Sequence, residues 1–448
     1  MYKIDNRKQD FIMKLFFFYI LIQPFIDLAT SLSVKLINIP FTVGTVIRFL
    51  FLVLSLFYIV FVSQYKHKKA IVIYVFIFGI YLIFHFLSNL YIKPNFYLGQ
   101  EITHLVKIVY FPTILLAYIM VFNESKEKNW DYEEKVLTFI FYSMTIVGAS
   151  MLIAGITQTA FNSYEFSKIG HVGWFYAANE IGAILAIGFP IVMLYAIRHI
   201  NNTKTLYYWI PVGLLIYSLF AIGTKVGYGS LIAVVTLSLL LVLFHFYKNK
   251  TVHKTTLIMM ILTTIFVALY TPFSPIAKNI GIHLSIIEYQ TSQDGMKNIE
   301  KLDNEDQSYD NRDENVWLSG RDEFLYKYKM YYGQSPTIQQ WLGMGYGSNF
   351  VDWVKLIEMD FYDLFFSLGI IGFTIYLIPF LVIIFQIIRS IFSDLKIVVR
   401  LDFLLLGSSI LLGFGIAYIA GHVLYAPAVS IYLAIVISLL YNKTVHSR

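Results

Sequence analysis

The chain has 448 residues, of which 58% are hydrophobic, 18% aromatic and only 14% charged. A soluble domain carries roughly 25% charged residues, so the deficit excludes an ordinary water-soluble fold. The formal charge is +6 and cysteine is absent. The first reads as Lys and Arg in cytoplasmic loops rather than a nucleic-acid surface; the second excludes disulfides, thiolate nucleophiles and thiolate metal sites.

Continuous apolar runs recur from Phe11 to Tyr441. Each can cross a ~30 Å hydrocarbon layer as a helix of about 20 residues, whereas a β-barrel would show ~10-residue alternating segments. The predicted fold class is all-α, a polytopic transmembrane bundle of about twelve spans. Spans are expected at 11–32, 39–63, 70–91, 104–122, 136–157, 178–197, 206–223, 228–246, 255–271, 361–388, 401–420 and 425–441. The first run lacks a small-residue cleavage site and another span follows at once, so no cleavable signal is expected.

With the N-terminus in the cytoplasm, the inner segments hold nineteen Lys and Arg, and the short outer loops hold four: Lys35, Lys93, Lys168 and Lys225. Short-loop charge bias sets orientation, so both termini are expected inside. Residues 1–271 then carry spans one to nine, 272–360 form one large extracytoplasmic loop, and 361–448 carry spans ten to twelve. A connection this long is functional or disordered. Its centre, Asp303 to Glu314, is polar and acidic and is expected to be mobile. Ser319 to Asp322 has the spacing of a capping box. The following Phe324, Leu325, Tyr328 and Tyr332 share one helical face, which predicts a short amphipathic helix on the membrane or over a cavity mouth. Gly343 to Gly347 then predicts a tight turn before re-entry at Phe361. No internal repeat is visible, which argues against a two-halves carrier.

Charged groups in hydrocarbon are expensive unless they face a partner or a wet cavity. Lys14 can snorkel from the inner end of span one. Arg48 lies about nine residues, hence ~13 Å, below the outer end of span two; it reads as an outward anion site, with a structural ion pair as the alternative. Glu101, His104 and Lys107 follow at i, i+3 and i+6 on span four, and reach either a shared outward cavity or the interface. Lys225 occupies an outer turn. Arg48, Lys107 and Lys225 together suit a pyrophosphate, Arg as a bidentate fork and Lys as a point charge. Asn179 and Glu180, beside His171 and Trp174 at the outer end of span six, bind sugar hydroxyls or hold helices together. His422 lies in the last outer turn.

The densest cluster is Glu358, Asp360 and Asp363, where the large loop enters span ten. A partly desolvated carboxylate there could act as a general base. Asp360 at a helix start also suits a cap, so Glu358 is expected to face the cavity and Asp360 mainly the helix. The acidic 303–314 stretch lacks the glycine of a calcium loop, and no Walker A sequence is present. No metal or nucleotide cofactor is expected.

Ser319-Gly320-Arg321, then Trp341-Leu342-Gly343-Met344-Gly345-Tyr346-Gly347, then Leu368-Gly369-Ile370-Ile371-Gly372-Phe373, in this order and topology, resemble the O-antigen polymerase and O-antigen ligase superfamily of bacterial glycan-assembly proteins. The family pattern places a histidine eleven residues before the second glycine motif; Glu358 stands there instead, while the family arginine falls on Arg321. The resemblance implies a membrane glycosyltransferase using an undecaprenyl-pyrophosphate-linked oligosaccharide donor on the outer face of the plasma membrane, without metal. It implies Arg321 as catalytic, with Glu358 or Asp360 doing the work of the family histidine; the residue reading adds Arg48, Lys107, Lys225, His104, Asn179 and His422 around the substrate. Partners would be the lipid-linked donor and acceptor, membrane lipid, and flippase or chain-length proteins, but no nucleic acid. Lys, Ile, Phe, Tyr and Asn are abundant and Arg scarce, which hints at an AT-rich, Gram-positive source and favours a capsule, exopolysaccharide or teichuronic-acid-like polymerase over a ligase. A lipid-linked-sugar flippase is the alternative from another class; it would not need residues 319–347.

Overall fold

A computed structural model describes residues 6–37, 42–164, 168–249, 252–282, 285, 320–347 and 355–445. Nine apolar helices come first: α1 (Asn6–Leu32), α2 (Val43–Phe57), α3 (Lys68–Ile92), α4 (Leu98–Glu127), α5 (Tyr132–Ile156), α6 (Ala178–His199), α7 (Ile210–Ile222), α8 (Lys225–Phe244) and α9 (Lys254–Tyr270). Two shorter helices follow, α10 (Arg321–Gln334) and α11 (Thr337–Leu342), and the chain ends in α12 (Asp360–Ser393), α13 (Leu401–Ile419) and α14 (Pro427–Val445). Twelve helical segments among the described residues are long and apolar enough to span a membrane, one at each predicted position. Turns of π-helix extend α1, α2 and α8. The ninth span runs past Tyr270 through a 3-10 turn to Ile282.

Burial sorts the helices. A helix that is apolar all round is either enclosed by protein or faces lipid. α6 and α14 are almost wholly surrounded by other helices, whereas α3 and α9 turn most of their surface outward. α14 packs along α4 and α6, and these three form the centre of the bundle, with α13 against α6 further out.

The start of α1 and the end of α14 lie on one face. Gln9 near the start of α1 donates to Glu124 at the end of α4 (2.5 Å), and Glu124 also accepts from Tyr58 Oη (2.7 Å), Ser63 and the Gln64 amide (2.8 Å). At the end of α14, Lys443 pairs with Glu133 and Asp402, which Arg198 also reaches at 3.0 and 3.5 Å. Shared partners of this kind are how charged groups at membrane depth are tolerated. The starts of α4 and α12 and the ends of α3, α7 and α13 meet on the opposite face.

Candidate active site

The opposite face is organised where α12 begins. α10 starts with Arg321, behind Gly320 in the left-handed region (φ 80°); Ser319 and the acidic 303–314 stretch lie outside the described residues. The expected aromatic face of α10 buries Tyr328 against Met344, Ile357, Met359 and Phe366, with Phe324, Leu325 and Tyr332 around them. Tyr328 Oη donates to the Lys355 carbonyl at 3.1 Å. Arg321 is thereby held against Glu358 in the segment leading into α12.

Two motif glycines are required by close backbone crossing. Gly343 (φ 94°) and Gly369 (φ 63°, ψ −173°) lie against each other. A Cβ on Gly369 would fall 2.4 Å from the Gly343 nitrogen, and one on Gly343 would fall 2.0 Å from the Ser367 carbonyl oxygen. Such φ/ψ at Gly369 is essentially glycine-only, and it breaks α12 after its second turn. The Met344 and Gly345 amides donate to Phe366 and Ser367 carbonyls, both at 3.0 Å. Tyr81 Oη caps the crossing, donating to Leu342 O (2.8 Å) and Leu368 O (2.6 Å).

This crossing takes up His104, which the sequence reading placed around substrate, together with Glu101 and Lys93. Glu101 pairs with Lys93 and accepts the Tyr346 amide at 3.0 Å, and Lys93 donates to the Tyr346 carbonyl at 2.8 Å. His104 is buried between Ser367 and Tyr425. Both clamp the glycine-rich turn to α4. Lys107, one turn further along, is exposed and outside that clamp.

Three carboxylates at the α12 start have three fates. Asp360 accepts the backbone amides of His422 (2.9 Å), Val423 (2.8 Å) and Leu424 (2.7 Å). It makes no cap on its own helix, which corrects the expectation drawn from its position. The reason is geometric: the first turn aims Asp360 at the α13–α14 connection, while Asp363 reaches back to the Ile357 (2.9 Å) and Met359 (3.1 Å) amides. Gly421 (φ 65°) lets the two loops touch, since a Cβ there would lie 2.6 Å from the Glu358 carbonyl oxygen.

Glu358 is what this scaffold presents. It and His422 are non-glycine residues at φ 62° and 60°, a conformation that costs roughly 1–3 kcal/mol and clusters at functional sites. Arg321 Nε donates to the Glu358 carbonyl and Nη2 to its carboxylate, each at 3.1 Å. His422 Nε2 lies 3.8 Å from the same carboxylate oxygen and makes no hydrogen bond among the described residues. The adjacent His422 does most to hold the Glu358 carboxyl below its usual range; Arg321 and Lys355 add to this and desolvation opposes it. Desolvation also opposes charge on His422, but Glu358, Glu180 and Asp360 overcome it and raise the imidazole. An imidazole from the α13–α14 connection therefore stands beside the carboxylate at the start of α12. Sequence position alone gave no sign of that pairing.

The other candidates disperse. Arg48 pairs with Asp27 of α1, both largely enclosed; Asp27 was overlooked in the sequence, although a carboxylate in an apolar run is itself a signal. Glu180 lies within electrostatic reach of both Asp27 and His422, so this pair borders the cluster. Asn179 is exposed beside it, and Lys225 stands near Lys168 at the start of α8. Among the described residues no three His, Asp or Glu side chains are grouped as metal ligands. A cleft of about 650 Å³ opens beside the cluster, lined by Phe361, Tyr362, Phe365, Phe373 and Tyr418, with Lys329 at its edge.

The family described as O-antigen ligase like membrane protein matches residues 9–444. No curated protein matches the sequence. Twelve spanning helices and a match over nearly the whole chain agree, and the chain belongs to the O-antigen ligase-like membrane proteins.

Proposed function

We propose that this chain is a glycosyltransferase of the bacterial plasma membrane that joins undecaprenyl-pyrophosphate-linked oligosaccharide repeats into a surface polysaccharide, acting on the outer leaflet. The observation that supports this most is the meeting of Arg321 and His422 on the single carboxylate of Glu358, beside an apolar cleft. An acceptor sugar hydroxyl attacks the anomeric carbon; the new C–O bond forms as the bond to the pyrophosphate oxygen breaks, with inversion. The hydroxyl proton passes to the Glu358–His422 pair: the hydroxyl meets the carboxylate and the adjacent imidazole takes up the proton, so the expected base works as a pair. The electron pair leaves on the lipid pyrophosphate, whose charge Arg321 receives; Arg48 is committed to Asp27. Positioning and anion stabilisation carry the rate, because the leaving group is already good. The aromatic cleft suits the isoprenoid tail.

Family membership leaves the acceptor open: transfer of finished glycan to a different acceptor is the ligase reading, and the AT-rich composition favours polymerisation. Deleting the gene tests both. Accumulated lipid-linked single repeats on the outer leaflet support polymerisation, accumulated long lipid-linked polymer supports ligation, and accumulation on the inner leaflet supports a flippase instead.

A further inference from the structure

A second cavity, of about 480 Å³, opens where α5, α7 and α9 end, on the same face as the Glu358 cluster. That volume is typical of small-molecule sites, which are rigid, mostly apolar and equipped with a few placed polar groups. Asn162 and residues 168–171 of the α5–α6 connection form one wall. The Phe161 amide donates to Gly173 O (2.7 Å), Ser163 to Gly170 O (2.9 Å) and His171 to Ala221 O (2.8 Å). The Asn279 side chain ties Ile169 from both sides, at 2.7 and 2.6 Å, and also reaches Gly223 O at 2.9 Å. Gly170 permits the approach, since a Cβ there would lie 2.3 Å from Ile222 O. The cavity is built before anything enters it.

Its polar groups have assignable directions. His171 Nδ1 accepts the Gly173 amide at 3.3 Å, which places the ring proton on Nε2, 3.1 Å from Tyr217 Oη. Tyr217 accepts that proton and its own O–H is left to donate into the cavity. The Asn162 carboxamide makes no hydrogen bond among the described residues and lines the same wall. Tyr270 and Phe220 meet edge to face at 4.9 Å, and the Tyr270 ring remains accessible as an apolar platform. Lys168 is part of the lining, and no carboxylate is among the described lining residues. Hydroxyl donors, an amide, an aromatic face and a cation are what an anionic sugar requires: its C–H face stacks on a ring while its acidic substituent meets the amine.

We propose that this cavity is a second saccharide subsite, which holds an anionic sugar unit of the glycan away from the bond being transferred. This rests on the glycan-transfer reading above. The connection that lines the cavity leads into α6, whose Glu180 acts on His422, so one continuous segment borders both places.

The test uses the full chain in lipid nanodiscs and two probes, a galacturonate trisaccharide and the matching neutral galactose trisaccharide, with binding followed by calorimetry. The acidic probe is expected to bind wild type and Arg321→Lys alike, and at least tenfold more weakly to Lys168→Ala. Tyr217→Phe, which keeps the ring and its packing, should also weaken it several-fold. The neutral probe should bind wild type less tightly than the acidic one. Absent binding to wild type, equal binding of both probes, or loss in Arg321→Lys but not in Lys168→Ala overturns the proposal. If the acidic probe binds as expected while the protein transfers no lipid-linked glycan, the subsite stands and the polymerase reading falls.

Discussion

At the scale of single residues, the Glu358 cluster makes forecasts that separate chemistry from packing. Arg321→Lys keeps the charge but loses the fork that holds the Glu358 carbonyl and carboxylate together. It should lower kcat by roughly 10²–10³-fold, the cost of removing one transition-state donor, with the protein still inserted; near-normal polymer output from the lysine variant would sink the assignment. The pH profile tests the pair. His422 must be neutral to take a proton and is raised above its ordinary 6.5, so the acidic limb of kcat/KM should lie above that value. In Glu358→Gln desolvation acts unopposed by that carboxylate, and the limb should move down; an unmoved limb removes His422 from the reaction. Stability follows the same signs. His422's contribution is complete below 6.5 and lost as pH rises through the raised folded value, and Glu358's is present above 4.5 and lost as pH falls through the lowered one. The ion pair therefore stabilises the loops most between those limits. Arg321 and Glu358 were legible because a motif order and a charge cluster marked them. Asp27 and the His422 partnership were not, because their meaning is a contact between segments far apart in the chain.

At the scale of elements, the Glu358 cluster rests on two supporting contacts. One is the Asp360 carboxylate under three amides of the α13–α14 connection. Asn offers one oxygen and turns an NH₂ toward donors, so Asp360→Asn should release His422 and lower kcat while α12 stays helical; circular dichroism beside an activity assay separates the two effects. The other is the crossing of Gly343 and Gly369. Gly369→Ala meets a glycine-only backbone region, worth roughly 1–3 kcal/mol, as well as the Gly343 nitrogen at 2.4 Å. It should lower the thermal midpoint and detach the glycine-rich turn. The spans themselves were legible throughout, because a run of some twenty apolar residues has few other uses. Their polar interior was not. The i, i+3 spacing of Glu101 and His104 left a cavity or the interface open, yet that face of α4 meets Lys93, Tyr346, Ser367 and Tyr425, none of which helical periodicity can locate.

At the scale of the whole molecule, everything proposed about substrate depends on which side of the bilayer the Glu358 cluster faces. The helix pattern places the start of α1 and the end of α14 on one face and the start of α12 on the other, and it is silent about which is outside. Charge supplies the direction: nineteen Lys and Arg in the short segments on the termini face against four on the other. Basic short loops stay in the cytoplasm. Buried pairs add a constraint that a shifted span would break. Arg48 and Asp27 lie on neighbouring helices, so Arg48→Gln leaves a carboxylate alone inside the bundle, a loss of about 3–5 kcal/mol, and Arg48→Leu with Asp27→Leu should restore the midpoint. Reporter fusions decide the orientation itself. A periplasm-type or surface-accessible tag at residue 310 should be labelled from outside in intact cells, and one at residue 250 only after permeabilisation. If both positions label only after permeabilisation, the cluster faces the cytoplasm, where the lipid-linked repeat is made and not yet displayed. Polymerisation at the outer leaflet would then be impossible for this site, whatever its local geometry.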